Sequence, residues 1–198
     1  MDAGRIRMFP VHFEDGTLSF QDDDGLEPDN WRKSKNYSEP QIFRNIENYI
    51  LIVKPENQMA AFEYMADEDK NDESGVKFTI HTFEDTVPRG QTVALTTRTN
   101  GETYYMHVEK QENGDMRVSF KAGNLPERIS GDASAIIFLQ KPFTEGNDKF
   151  FQFESTLERG YFLAFENGEG YHTRRLIMKR IATKDEVDET TKLSHSSN

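Results

Sequence analysis

The chain has 198 residues, with 35 acids against 24 bases and a formal charge of −11. An acidic surface repels phosphate backbones and anionic lipid, which argues against nucleic acid and membrane insertion and favours a protein partner with basic patches. The absence of cysteine excludes disulfides, thiolate zinc sites and a cysteine nucleophile. The length predicts one domain with a tail or two.

The first 29 residues read as a separate segment. They hold eight acids and two bases, and residues 14–29 carry no base at all. Phe9, Val11 and Phe13 alternate with polar positions, then come Asp15-Gly16, Leu18 and Phe20, a pattern that suits a hairpin. The opening residues lack the apolar core of a signal peptide, so a cytoplasmic start and a non-classical exit are expected. No run approaches the roughly 20 apolar residues of a membrane span.

The body from residue 30 onward is rich in short β-like runs. They are Ile50–Val53, Val76–Ile80, Thr92–Leu95, Tyr104–Val108, Val118–Phe120, Ala135–Leu139, Phe150–Phe153 and Tyr161–Phe165. Turn signals separate them, among them Pro88-Arg89-Gly90, Asn100-Gly101, Asn113-Gly114 and Asn167-Gly168. Short strands with frequent turns and little helical periodicity predict an all-β sandwich or barrel.

A weak internal repeat narrows the choice. Asn48–Val53, Thr103–Val108 and Gly160–Phe165 are similar, and each is followed by a second apolar run at Met59–Phe62, Met116–Phe120 or Leu176–Met178. The first two units continue into Phe78–Ile80 and Ile136–Phe138. Three units of about four strands, about twelve in all, read as a β-trefoil; an irregular sandwich is the alternative. Residues 184–198 are polar and read as a disordered tail, leaving residues 30–183 as the folded domain.

No active site emerges. The five histidines are scattered with no pair at i, i+4, the glycines are isolated turn residues, and no serine has a G-x-S-x-G context. The acids read as a solvated face, and His107 as a core or cross-strand histidine. No enzyme, metal or cofactor is expected. Recognition candidates remain: the stretch Met65–Asp69, and Arg89 at a turn tip, since Arg and Met are favoured at interfaces. Either also fits an ordinary solvated loop. Asp185-Glu186-Val187-Asp188 matches an executioner-caspase tetrapeptide, although Glu189 after it disfavours cleavage, and a chance match in an acidic tail is the favoured reading.

At this point the ordered set of segments resembles a known family. Ile42–Asn45, Phe62–Asp67, Pro88–Gly90, Val118–Lys121, Ile136–Lys141, Asn147–Lys149, Phe151–Ser155 and Gly160–Ala164 are similar, in the same order, to the interleukin-18 family of the interleukin-1 superfamily. The resemblance spans roughly residues 9–180, and Leu26-Glu27-Pro28-Asp29 resembles that family's caspase site. It implies a β-trefoil cytokine made as a precursor and cut by an inflammatory caspase after Asp29, leaving Asn30 at the new terminus. It implies two partners with immunoglobulin-like ectodomains, the interleukin-18 receptor alpha and beta chains, and a soluble binding-protein antagonist. Receptor contacts carry over to Lys33, Arg44, Met65, Asp67, Arg89 and Lys121, and to Lys141, where the family has arginine. Asp67 also lies where the family can be cut for inactivation. A monomer is expected. The resemblance fails for the last strand, where Ile181–Lys184 is a poor substitute. Lectin or growth-factor readings of a trefoil lack their signatures: the single tryptophan, Trp31, makes no repeated Gln-x-Trp motif, and no basic cluster suits heparin. A trefoil protease inhibitor would carry a signal peptide and disulfides, and this chain shows neither.

Overall fold

A computed structural model describes residues 8–14, 17–22, 30–54, 59–65, 75–85, 90–146, 149–168, 173–183 and 187–197, with backbone alone for 8–22. In chain order the strands are β1 (Met8–Glu14), β2 (Thr17–Asp22), β3 (Asn30–Tyr37), β4 (Gln41–Asn45), β5 (Ile50–Lys54) and β6 (Met59–Glu63). Then come β7 (Lys77–Asp85), β8 (Gln91–Thr99), β9 (Glu102–Lys110), β10 (Met116–Ala122) and β11 (Arg128–Ser130). The last are β12 (Phe138–Pro142), β13 (Phe151–Ser155), β14 (Tyr161–Asn167), β15 (Thr173–Arg180) and β16 (Leu193–Ser196).

Six of these strands close a ring. β4 pairs with β7, β7 with β8, β8 with β12, β12 with β13, β13 with β16, and β16 returns to β4. Closure removes the exposed edges an open sheet would carry. Three hairpins, β5–β6, β9–β10 and β14–β15, extend from it. Each joins the ring the same way, through β4–β5, β8–β9 and β13–β14. Six ring strands plus three hairpins give the twelve strands of a β-trefoil. The repeat read from the sequence falls on these three hairpins.

Local chemistry explains the strands. Along β7, Phe78 and Ile80 are buried in the main core while Thr79 and His81 lie half-buried between them, the period-2 alternation of a sheet with two unlike faces. Asn100 and Gly101 both hold positive φ (51° and 82°), the type I′ geometry that joins β8 to β9 in two residues. The core is aromatic. Phe43 meets Phe78 edge-on at 5.4 Å and Phe153 at 5.6 Å, and Phe62, Phe138 and Leu193 are fully buried beside them. Each such side chain contributes about 1.5–3 kcal/mol through burial.

A second apolar cluster lies on the outer side of β8. Trp31 of β3 packs with Phe83, Ala94, Leu125, Ile136 and Ile137, so β8 is buried on both faces.

Two sequence expectations are corrected. The stretch Ala135–Leu139 is not one strand: Ala135 and Ile136 lie in a turn, Ile136 and Ile137 pack with Trp31, and β12 begins at Phe138. The polar end is not wholly a disordered tail. Residues 193–196 form β16, the sixth ring strand and the missing fourth strand of the third repeat. The reason is economy of anchoring. One fully buried leucine, Leu193, holds the strand, while His195 stacks on Phe151 at 4.9 Å, so the segment needs little apolar sequence.

At the other end, β1 and β2 pair with each other in a separate two-stranded sheet, with Met8 opposite Asp22 and Glu14 opposite Thr17. This is the hairpin that the alternation predicts.

Candidate functional site

Arg44 and Met65 occupy one corner of the molecule. The tight turn after β4 is held by buried Asn45, whose Oδ1 accepts from the backbone N–H groups of Glu47 (3.1 Å) and Tyr49 (2.9 Å). This fixes Arg44, whose Nη1 donates to Ser196 Oγ at 3.0 Å and so touches the closing strand. Met65 follows β6 and packs on Ile42, Ile50, Ile52 and Val76. Beside them Tyr49 meets Tyr64 edge-on at 6.3 Å, the Arg174 guanidinium lies 5.3 Å over the Tyr49 ring, and Arg174 Nε is 2.9 Å from Glu47. Tyr64 is 73 % exposed. The sequence reading did not single out Tyr49, Tyr64 and Arg174, which form this cluster. Tyr and Arg dominate protein interfaces, but only folding brings Arg174 of β15 to the β4–β5 turn.

Lys121 belongs to a different face, on β10. Its Nζ sits 2.9 Å from Glu109 Oε1 and 3.3 Å from His107 Nε2, and His107 Nδ1 is 3.4 Å from the same carboxylate oxygen. The bond from Lys121 holds the Glu109 carboxyl below its usual range. Burial, then the charge of Lys121, lowers the His107 pKa against the opposing pull of Glu109. His107 is thus the cross-strand histidine the alternation suggests, opposite Ser119.

Lys141 lies on β12 and is engaged within the fold. Its Nζ is 2.8 Å from Oε2 of Glu154, a buried carboxylate. Glu154 Oε1 accepts from the Gly160 N–H at 3.0 Å and lies 3.5 Å from Arg159. Burial works to raise the Glu154 pKa, but the bonds from Lys141 and Gly160 outweigh it and hold the carboxyl below its ordinary value. Gly90 lies against the Lys141 side chain, since a Cβ placed there would be 3.8 Å from its methylenes. That puts Lys141 next to Gly90, the residue that precedes β8.

Lys33 is on β3, with its Nζ 3.7 Å from Glu127. Asn30 opens β3 and pairs with Ser130 of β11. Asp29, Asp67 and Arg89 lie outside the described residues. The structure therefore brings Arg44 and Met65 together and sets Lys121, Lys141 and Lys33 on separate elements around the trefoil. What these groups share is chemical type: cations and aromatic rings carried on a closed barrel, several of them in ion pairs within the chain.

Comparison with known proteins bears on the fold and the family. No family model matches the chain. Among solved structures it is similar to a hydrophobic-cavity mutant of chicken interleukin-1, with a TM-score of 0.62 over 84 % of this chain and 99 % of that one at 14 % identity. Chicken interleukin-1 beta aligns with a TM-score of 0.56 over the same shares, also at 14 % identity. These likenesses define the class, a β-trefoil of the interleukin-1 type. Among sequences, interleukin-18 of Gallus gallus is 41 % identical over 174 residues, 87 % of this chain and 86 % of that protein. Interleukin-18 of Felis catus is 34 % identical over 184 residues, 91 % and 88 % of the two chains. That of Homo sapiens is 32 % identical over 178 residues, 88 % and 86 %. The chain belongs to the interleukin-18 family, cytokines of the interleukin-1 superfamily and not enzymes.

Proposed function

We propose that the chain is a cytokine precursor, made in the cytoplasm and activated when an inflammatory caspase cuts after Asp29. The mature form then leaves by a non-classical route and bridges two immunoglobulin-like receptor chains, the interleukin-18 receptor alpha and beta chains. Asn30, Lys33, Arg44, Met65, Asp67, Arg89, Lys121 and Lys141 are the residues this reading assigns to the new terminus and the receptor contacts, with a soluble antagonist competing for them.

One observation carries the reading. The bond after Asp29 lies between a two-stranded sheet, β1–β2, and the first strand of the other sheet, β3. Hydrolysis there separates the acidic hairpin segment without severing any strand of the closed ring. The cut also takes the formal charge from −11 to −5, which reduces repulsion or uncovers basic contacts. Digestion of the purified chain with an inflammatory caspase, read by intact mass, tests the site. A single product starting at Asn30, lost in the Asp29→Ala variant, is expected; a cut elsewhere with Asp29–Asn30 intact contradicts it.

A further inference from the structure

β3 is pinned at two places and lifted between them. Trp31, Arg32 and Lys33 face Asp85, Glu84 and Phe83 of β7, and Tyr37 faces His81. Four steps along β3, from Lys33 to Tyr37, therefore match two along β7, and Ser34, Lys35 and Asn36 form a bulge. The near end is held by buried Trp31. The far end is held by Ser38, whose N–H donates to the Ile80 carbonyl and whose Oγ accepts from the Ile80 N–H, both at 2.9 Å.

A cleft of about 970 Å³ lies along this bulge. β7 and β8 contribute Thr79, His81 and Thr96 to its lining. Burial, and secondarily Lys33, holds the His81 pKa down to about 4, so this wall is neutral at physiological pH. The charges come from Lys33, Lys35, Lys77 and Arg98, against one lining carboxylate, that of Glu127. That carboxylate is 80 % exposed and lies 3.7 Å from the Lys33 ammonium. Four cations against one acid reverse the sign of a chain whose total is −11. Lys35, Lys77 and Arg98 are exposed, so the charges are spread around an open trough. That arrangement suits several carboxylates in a row better than one small anion, which needs enclosure. Tyr37, 70 % exposed and 6.1 Å from the His81 ring, adds an aromatic contact.

We propose that this cleft docks an acidic segment of a receptor ectodomain, an inference that rests on the receptor-binding reading above. The cations act chiefly on association, because exposed charge pairs steer encounter more than they hold the complex. Lys35, Lys77 and Arg98 are the determinants; Lys77, opposite Ile42 and next to Val76, borders the cluster on which Met65 packs.

The test uses the chain cut after Asp29 and each of the two receptor ectodomains, with association rates measured against salt. For one ectodomain, K35E/K77E/R98E is expected to slow association at least about tenfold and to flatten the salt dependence. K35Q/K77Q/R98Q should lie between the two, with the thermal midpoint unchanged in both variants. Unaltered kinetics with both ectodomains would overturn the cleft assignment while leaving the receptor reading intact. Binding of a heparin octasaccharide that is lost in the charge reversal, with receptor kinetics unaltered, would assign the cleft to a sulfated glycan and overturn it too. If the unmodified cut chain binds neither ectodomain, the receptor reading fails and the cleft assignment falls with it.

Discussion

Glu154 shows how far a single residue depends on its neighbours. A carboxylate this buried persists ionised only because Lys141, the Gly160 N–H and Arg159 surround it. Replacing Lys141 with alanine leaves that charge short of its closest partner, and a loss of about 1–3 kcal/mol is expected in urea unfolding. A Lys141→Ala variant of unchanged stability would contradict the account. Receptor experiments at this position therefore need a stability control.

Histidine sets the pH response at this scale. Burial, and secondarily Lys33, lowers the His81 pKa to about 4, and burial lowers that of His195 as well, so the folded chain takes up these protons at lower pH than the unfolded chain, which takes them up near 6.5. The unfolded state then binds more protons, and stability must fall as pH drops from about 6.5 toward 4. Glu154 and Asp188 are depressed carboxyls, so their contribution disappears only below the ordinary carboxylate range. Urea midpoints across pH 7.5 to 4.5 are expected to decline steadily; a flat profile refutes the lowering of these two half-buried histidines.

At the scale of elements, the closing strand has the largest consequence. β16 contributes four residues and one fully buried leucine, yet it joins β4 to β13. Leu193→Ala is expected to cost about 2–5 kcal/mol, measured by thermal or urea unfolding. The turn before it bears on the Asp185–Asp188 tetrapeptide. The Asp188 side chain accepts from the Thr190 N–H at 3.0 Å and Thr190 Oγ1 at 2.6 Å, and lies 2.6 Å from Lys179. A protease that reads aspartate needs that carboxylate free and the chain beyond the scissile bond extended, whereas the Asp188 carboxylate is engaged and Glu189–Thr191 form a 3-10 turn that it caps. Mass mapping after digestion with an executioner caspase should find the Asp188–Glu189 bond intact in the native chain; rapid native cleavage there refutes the capping argument.

The same element shows where sequence reading stops. The hairpins are legible because aromatic and β-branched runs recur three times, with an Asn-Gly pair between the two runs of the second and third. β16 was not, because a strand seated between two others needs only Leu193 inward, and one leucine in a polar stretch carries no period. β12 was misplaced by an apolar run that serves two purposes, Ile136 and Ile137 packing under Trp31 and Phe138 entering the main core. At the surface, Arg44 and Met65 were legible through resemblance. The partnership of Arg174 with Tyr49 and Glu47 was not, since it joins elements far apart in the chain.

For the whole molecule, the organising feature is a closed, disulfide-free ring preceded by a segment that holds eight acids. The ring is complete without residues 1–29, so their removal should leave the trefoil folded and change its charge, not its architecture. That separation between stability and activity is what a precursor requires. The most direct measurement is the affinity of one receptor ectodomain for the uncut chain and for the chain cut after Asp29, at fixed salt. The account predicts markedly tighter binding by the cut chain, with similar thermal midpoints for both; equal affinity for the two forms would contradict it.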